Sequence, residues 1–245
     1  MLKPISPAKT LGKVSARLLQ ALLKKGKTTF TLDEALDYTT SDYPVTVNLM
    51  ARLVKRGLIA RIKSGKYLIL QTGAENTQLK NWPIIAREII APNSYFISHY
   101  SAMRLHGMTS HVALDVYLTT PARIPNKKLQ DIRYHFIFSK KEHFWGLTTH
   151  WATKQEQVQV SDLERTILDG LDRPDISGGM IDVVRGIWAK QKEIDWVKLA
   201  ADAKKFKTKA AAKRLGFIIE TLKMYDKCFR ESVENKPAAF ERRGY

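Results

Sequence analysis

The sequence predicts an α+β protein, in which an N-terminal winged helix-turn-helix is followed by a mixed α/β domain with C-terminal helices. Residues 1–72 show three helical patterns and then two short apolar strands around a turn. From residue 78 to about residue 179 helices and short strands are mixed, and the later periodicity is helical. We therefore expect one domain over residues 1–72 and another over residues 78–245, joined by the polar segment 71–77.

The first two helices follow from spacing and capping. Apolar residues recur every three or four positions over residues 11–25, which predicts an amphipathic helix that Gly26 ends. The second helix covers residues 32–37. Thr31 can cap it, and Glu34 three residues later completes a capping box.

The third helix starts near Ser41 or Asp42, either of which can cap it, and Pro44 fits its first turn because no backbone N–H is needed there. Two strands, residues 58–62 and 66–70, follow as a hairpin. Helical spacing predicts an inward face made of Val45, Leu49, Leu53 and Met50.

This order of elements is that of a winged helix, whose third helix enters the major groove of DNA. The helical wheel places four polar residues opposite the apolar face: Ser41, Asn48, Arg52 and Lys55. Asn reads adenine and Arg reads guanine, whereas Lys55 and Arg56 suit phosphates. On the wing, Arg61, Lys63 and Lys66 are expected to touch the DNA backbone or the minor groove. The alternative is an ordinary solvent-exposed face.

The charge distribution also favours a polyanionic partner. Residues 1–80 carry 14 basic and 5 acidic side chains, residues 81–184 carry 11 of each, and residues 185–245 carry 16 and 8, which gives the formal net charge of +17. Basic blocks attract nucleic acid through counterion release. The second basic block, from Lys190 to Arg214, fits either a surface for an acidic partner or flanking DNA, or a solvated helix face.

In the second domain, Gly107 is expected to end a helix over residues 100–106, and another helix covers residues 82–90. Strands are expected at residues 95–98, 112–119, 133–138, 148–151 and 157–160, and later helices at residues 180–190, 197–203 and 210–225.

Residues 160–179 read VSDLERTILDGLDRPDISGG. Ser161-x-x-Glu164 predicts a capping box for a buried helix, and Asp172-Arg173-Pro174 ends that helix.

The same segment, together with YFISHYSAMRLHGMTS over residues 95–110, resembles AbiEi-type antitoxins of type IV toxin–antitoxin systems. The resemblance covers most of the chain. It implies a DNA-binding autorepressor of its own promoter, whose second domain neutralises a cognate nucleotidyltransferase-like toxin. The toxin follows from the resemblance alone, so a plain winged-helix regulator with a ligand- or partner-binding second domain is the alternative.

The sequence predicts no catalytic site, metal or cofactor. The six histidines lie between residues 99 and 150 without an H-x-x-x-H pair. Asp162 and Glu164 are accounted for by capping, and Asp169 stands one turn after Arg165, as in an ion pair. A metal-dependent nuclease built on such acids is the less favoured alternative.

The remaining bulk properties favour a cytoplasmic protein. Cys228 is the single cysteine, so no internal disulfide is expected. The first 20 residues show no apolar segment typical of a signal peptide, and no run of about 18 apolar residues predicts a membrane span.

Overall fold

The computed structural model describes residues 12–70, 77–111, 113–129, 131–206 and 208–222. The chain has an α+β fold and divides into two compact units, Met1–Ile89 and Ile90–Tyr245. This division differs from the domain boundary expected between residues 72 and 78, because most of helix Thr77–Ile90 groups with the first unit. Residues 71–76, which make up most of the expected linker, lie outside the described part.

The N-terminal unit has the element order of a winged helix. Its elements are α1 (Lys13–Lys24), β1 (Thr29–Thr31), α2 (Leu32–Thr39), α3 (Tyr43–Lys55), β2 (Ile59–Lys63), β3 (Lys66–Ile69) and α4 (Thr77–Ile90), the last residue of which belongs to the second unit. The strands form an antiparallel sheet in the order β1-β3-β2. Strand β1 was not predicted, since three residues are too few to show a period of two.

The core of this unit forms where the helices pack on the sheet. It includes Leu18 and Leu22 of α1, Phe30 of β1, and Leu53 of α3. The predicted capping box of α2 is confirmed: the Thr31 side chain accepts the Glu34 N–H at 3.1 Å, and the Glu34 carboxylate accepts the Thr31 N–H at 2.9 Å. Helix α2 therefore begins after Thr31, as the local sequence predicts.

The C-terminal unit combines a mixed six-stranded sheet with helices. Its elements are β4 (Phe96–Ile97), α5 (His99–Leu105), β5 (Asp115–Thr120), β6 (Lys127–Leu129), β7 (Ile132–Phe138), β8 (Leu147–Trp151), β9 (Gln157–Ser161), α6 (Leu163–Asp172), α7 (Met180–Lys190), α8 (Trp196–Lys205) and α9 (Lys209–Leu222). The sheet order is β6-β7-β5-β4-β9-β8. Strand β6 was not predicted, and residues 112 and 223–225 of the expected elements lie outside the described part.

A large apolar core is shared by helices α5 to α9 of this unit. Met103, Leu168, Val183, Leu199 and Leu215 all belong to it and are buried. Helix α6 is central, because every residue from Glu164 to Leu171 is buried. Within the described ranges, no helix is long and apolar enough to cross a membrane.

Candidate nucleic-acid interface

Helix α3 is fixed by a buried polar contact as well as by apolar packing. Thr40 adopts a left-handed conformation, with φ of 51°, and turns the chain between α2 and α3. The hydroxyls of Thr39 and Thr46 hydrogen-bond at 3.0 Å, both buried. The inward face of α3 is completed by Leu49, Met50 and Leu53.

This packing sets the rotation of α3 about its own axis and corrects one prediction. Val45, predicted to face inward, is 51% exposed, and Thr46 is buried in its place. Thr46 can occupy the core because Thr39 satisfies its hydroxyl. The phase of the helix therefore differs by about one position at its N-terminal end.

Three of the predicted DNA contacts lie on the exposed side of α3. Asn48, Arg52 and Lys55 are exposed, and the Arg52 Nε donates to the Asn48 carbonyl at 3.4 Å. Arg56 follows as the exposed C-cap residue. These side chains carry hydrogen-bond donors, and base edges and phosphate oxygens can accept hydrogen bonds from them.

Ser41 differs from these three. It precedes α3, and its hydroxyl donates to the Thr39 carbonyl at 3.2 Å. Asp42 is the N-cap residue of α3, without a side-chain cap bond. The hydroxyl of Ser41 thus stabilises the turn, and we leave it out of the interface.

The wing is the hairpin of β2 and β3. Arg61 is exposed on β2, Lys63 is half-buried, and the turn passes through Gly65 with φ of 66°. Glycine adopts this left-handed conformation without the strain that a Cβ atom brings, which explains the residue at this turn. Lys55 of α3 and Arg61 line one groove, so the helix and the wing present cations to the same space.

Lys66 is the wing residue that departs from its prediction. Its ammonium pairs with the Glu88 carboxylate of α4 at 3.0 Å. Burial raises the pKa of Glu88, but hydrogen bonds from Lys66 and Arg87 outweigh burial and lower it. Glu88 is therefore charged at neutral pH and holds Lys66 within its own unit, so we leave Lys66 out of the interface too.

Sequence reasoning missed an apolar stripe on the exposed side of α3. Tyr43, Val47, Ala51 and Val54 line a groove of about 460 Å³ that extends to the wing. Tyr43 is 60% exposed and Val54 is 37% exposed. Their spacing of three or four residues is visible in the sequence, but a helix phase that puts Val45 in the core hides the stripe.

In the C-terminal unit, the predicted capping box at Ser161 and Glu164 is wrong. Asp162 is the N-cap residue of α6, and its carboxylate accepts the Arg165 N–H at 2.8 Å. The Ser161 hydroxyl is buried and hydrogen-bonds with that of Thr166 at 2.8 Å. The Glu164 carboxylate instead accepts the Asp195 N–H at 3.0 Å, and so connects α6 to the start of α8.

Lys198 strengthens this connection. Its ammonium lies 2.8 Å from the Asp162 carboxylate and 3.0 Å from that of Glu164. Burial lowers the pKa of Lys198, but the two carboxylates outweigh burial and raise it above its ordinary value. Asp162 and Glu164, the first two acids of the segment 160–179, therefore connect α6 to α8.

Arg165 and Asp169 form the predicted ion pair, but inside the protein. Nε and Oδ1 lie 2.9 Å apart, and the two residues are 3% and 4% exposed. The guanidinium also lies 4.3 Å from the ring centroid of Trp145 and 5.1 Å from that of Phe206. Within the described ranges, no group of three or more His, Cys, Asp or Glu side chains could hold a metal ion.

The two segments that carry the AbiEi resemblance pack on each other. Strand β4 pairs in parallel with β9 through Ile97 and Val160. The imidazole Nε2 of His106 lies 2.7 Å from the Ser161 carbonyl oxygen. Residues distant in sequence thus form one strand–helix layer.

A partly exposed cluster of charged side chains lies on β5 and β7. Arg133 donates two hydrogen bonds of 2.8 Å to the Asp115 carboxylate, and His135 Nε2 lies 2.6 Å from the same carboxylate. Burial raises the pKa of Asp115, but these partners outweigh burial and lower it. The cluster ties the two parallel strands together.

A solved structure shares this fold. The crystal structure of the RV2827C protein from Mycobacterium tuberculosis superposes with a TM-score of 0.66 over 89% of this chain and 81% of that chain, at 14% sequence identity. At this identity the likeness concerns the fold alone. Neither the family models nor the curated proteins compared with the chain match it.

Proposed function

We propose that this protein is a DNA-binding transcriptional repressor of its own promoter and an antitoxin against a nucleotidyltransferase-like toxin. The observation that supports the first part is the exposed cationic side of α3 beside the wing. Arg52 and Lys55 are exposed on the helix, and Arg61 is exposed on the wing across the shared groove. A winged helix that presents cations in this way fits the major groove and its flanking phosphates.

The proposal gives each cation a role. Arg52, with Asn48 on the same side of the helix, is suited to base edges, because a guanidinium can bind guanine through two donors. Lys55, Arg56 and Arg61 are suited to phosphates and set the register on the duplex. The net charge of +9 over residues 1–80 adds attraction for any DNA.

Repression is tested with a reporter gene placed behind the promoter of this protein's own gene. The wild-type chain is expected to lower reporter output. Arg52→Ala and Arg61→Ala are each expected to restore it. Lys24→Ala is the matched control, since Lys24 is an exposed cation of the same unit on neither α3 nor the wing. Equal effects of all three variants would show that repression depends on the general positive charge of the unit and not on a specific interface.

For the antitoxin part, the support is the resemblance together with the packing of its two segments. His106 bonds the Ser161 carbonyl across them, so these residues stabilise the unit. In this proposal the neutralising contact lies on the surface of that unit. The proposed neutralisation acts by contact with the toxin, without chemistry from this chain.

Co-expression of the full chain with a nucleotidyltransferase encoded beside it tests this part. Growth inhibition by the enzyme alone and rescue by the full chain are the expected results. Repression without rescue would identify a plain winged-helix regulator. Metal-dependent DNA cleavage by the purified chain would instead point to a nuclease.

A further inference from the structure

The apolar stripe on α3 is out of place in a helix that binds only phosphates. Tyr43, Val47, Ala51 and Val54 succeed one another at three- or four-residue steps, so they form one line along the helix. They line the groove shared with the wing, and exposed cations stand on both sides of it, Lys55 on the helix and Arg61 on β2. The groove is therefore lined both by an apolar line of α3 and by cations from the helix and the wing.

We propose that Val47 and Ala51 read the C5-methyl groups of thymines in the operator. This inference rests on the proposed function, because it assumes that α3 enters the major groove. The cations Lys55 and Arg61 that line the groove favour a polyanion in it. Within the major groove of DNA, the thymine methyl is the apolar group that a base pair presents, and Ala is a typical partner for it.

The chemistry of the two side chains makes the preference selective. Val47 and Ala51 have no donor or acceptor, so a guanine or cytosine edge placed against them loses water without gaining a hydrogen bond. A thymine methyl placed there gains apolar contact instead. The stripe therefore favours thymine both by attraction and by exclusion of the alternatives.

The geometry limits where the thymines lie. Val47 and Ala51 are four residues apart, which is about 6 Å along an α-helix. Base pairs follow one another at about 3.4 Å along the duplex, so two methyl groups read in this way lie roughly two base pairs apart. Asn48, on the adjoining side of the helix, is suited to the adenine of such pairs.

The test changes the DNA and leaves the protein intact. A binding site is first selected from random duplexes with the full chain. Each thymine of that site is then replaced in turn by deoxyuridine, which keeps the base pair and removes only the methyl group. We expect one or two thymines at which the replacement weakens binding about fourfold, the factor expected for one buried methyl group. Replacement of the other thymines should leave binding unchanged.

A pair of valines on the same helix provides the matched control. Val47→Ala removes two methyl groups from the groove, whereas Val45→Ala removes them from a valine that does not line it. In the Val47→Ala variant, the loss of affinity caused by deoxyuridine should fall below twofold at the thymine that Val47 contacts. With Val45→Ala it should stay near fourfold. Thermal melting of both variants verifies that they are folded.

The outcomes separate this inference from the proposed function. Selection of a specific site that tolerates deoxyuridine at every thymine would overturn methyl reading and leave DNA binding in place. Equal deoxyuridine effects in the two valine variants would overturn the assignment to Val47. Failure to select any site would contradict the proposed function itself. Loss of self-association with Val47→Ala, at unchanged DNA affinity, would assign the stripe to a second copy of the chain and overturn the inference.

Discussion

The ion pair between Arg165 and Asp169 gives the clearest test of how the C-terminal unit is held together. Asp169→Ala removes the carboxylate and leaves a guanidinium that is 3% exposed without its counter-charge. Breaking a buried pair by removing one partner costs about 3–5 kcal/mol, because an uncompensated charge stays buried. The His143 carbonyl oxygen still accepts a hydrogen bond from Arg165 Nη1 at 3.1 Å. This contact compensates part of the lost stabilisation of the guanidinium. We therefore expect destabilisation toward the lower end, about 3 kcal/mol.

The assay is urea unfolding followed by tryptophan fluorescence. Four of the five tryptophans lie in residues 90–245, and Trp145 contacts Arg165 directly, so the signal reports mainly on this unit. Asp175→Ala is the matched control, because Asp175 pairs with Arg173 at 2.7 Å but its side chain is 59% exposed. An exposed pair contributes about 1 kcal/mol or less. Equal midpoints for the two variants would refute the reasoning, and DNA cleavage lost only in Asp169→Ala would give Asp169 a catalytic role.

Three further expectations follow from single contacts. Thr31→Ala should lower the free energy of unfolding of the N-terminal unit by about 1 kcal/mol through loss of the α2 cap, and an unchanged urea midpoint would contradict this. Glu164→Ala should cost about 1–3 kcal/mol because it leaves the Asp195 N–H without its acceptor, whereas Glu142→Ala, at an exposed carboxylate, should leave the midpoint unchanged. The lowered pKa of Asp115 means that its contribution to stability is present above the ordinary pKa of aspartate, near pH 4, and is lost as the pH falls through its lower folded value. Asp115→Asn should therefore flatten the acid side of the stability–pH curve, and an unchanged acid side would contradict the pairing with Arg133 and His135.

Features set by neighbouring residues could be predicted from the sequence. The box of Thr31 and Glu34 involves residues three apart, and it forms as expected. Pro44 stands in the first turn of α3, where it was placed. The i,i+4 pairing of Arg165 and Asp169 was also visible, although its burial was not. In each case the feature lies within one turn of helix, so the local sequence pattern already contains all the residues involved.

Features set by contacts beyond one helical turn could not be predicted. Ser161 and Asp162 are both good N-cap residues, and the choice of Asp162 depends on the contacts that Ser161 makes with Thr166 and with the Ile97 carbonyl. The burial of Thr46 in place of Val45 depends on Thr39. Ile97 and Thr39 lie in other elements than the residues they contact, and a single sequence does not show which elements meet.

The same limit applies to the candidate interface. Asn48, Arg52, Lys55 and Arg61 are exposed as expected, because helical and strand periodicity separate polar from apolar faces. Lys66 is held by Glu88, which lies 22 residues further along the chain. No local pattern relates these two residues, so their pairing emerges only from the fold.

The most direct test of the central claim is a titration of the full chain against labelled DNA from upstream of its own gene, with excess random DNA and at two salt concentrations. We expect specific, salt-sensitive binding that Arg52→Ala weakens by about 1–3 kcal/mol, while Lys24→Ala leaves it nearly unchanged. Arg61→Ala should weaken binding to all sequences alike and reduce the salt dependence by about one unit of slope. Binding no tighter than to random DNA, or equal losses in all three variants, would contradict a sequence-reading α3 beside a phosphate-binding wing.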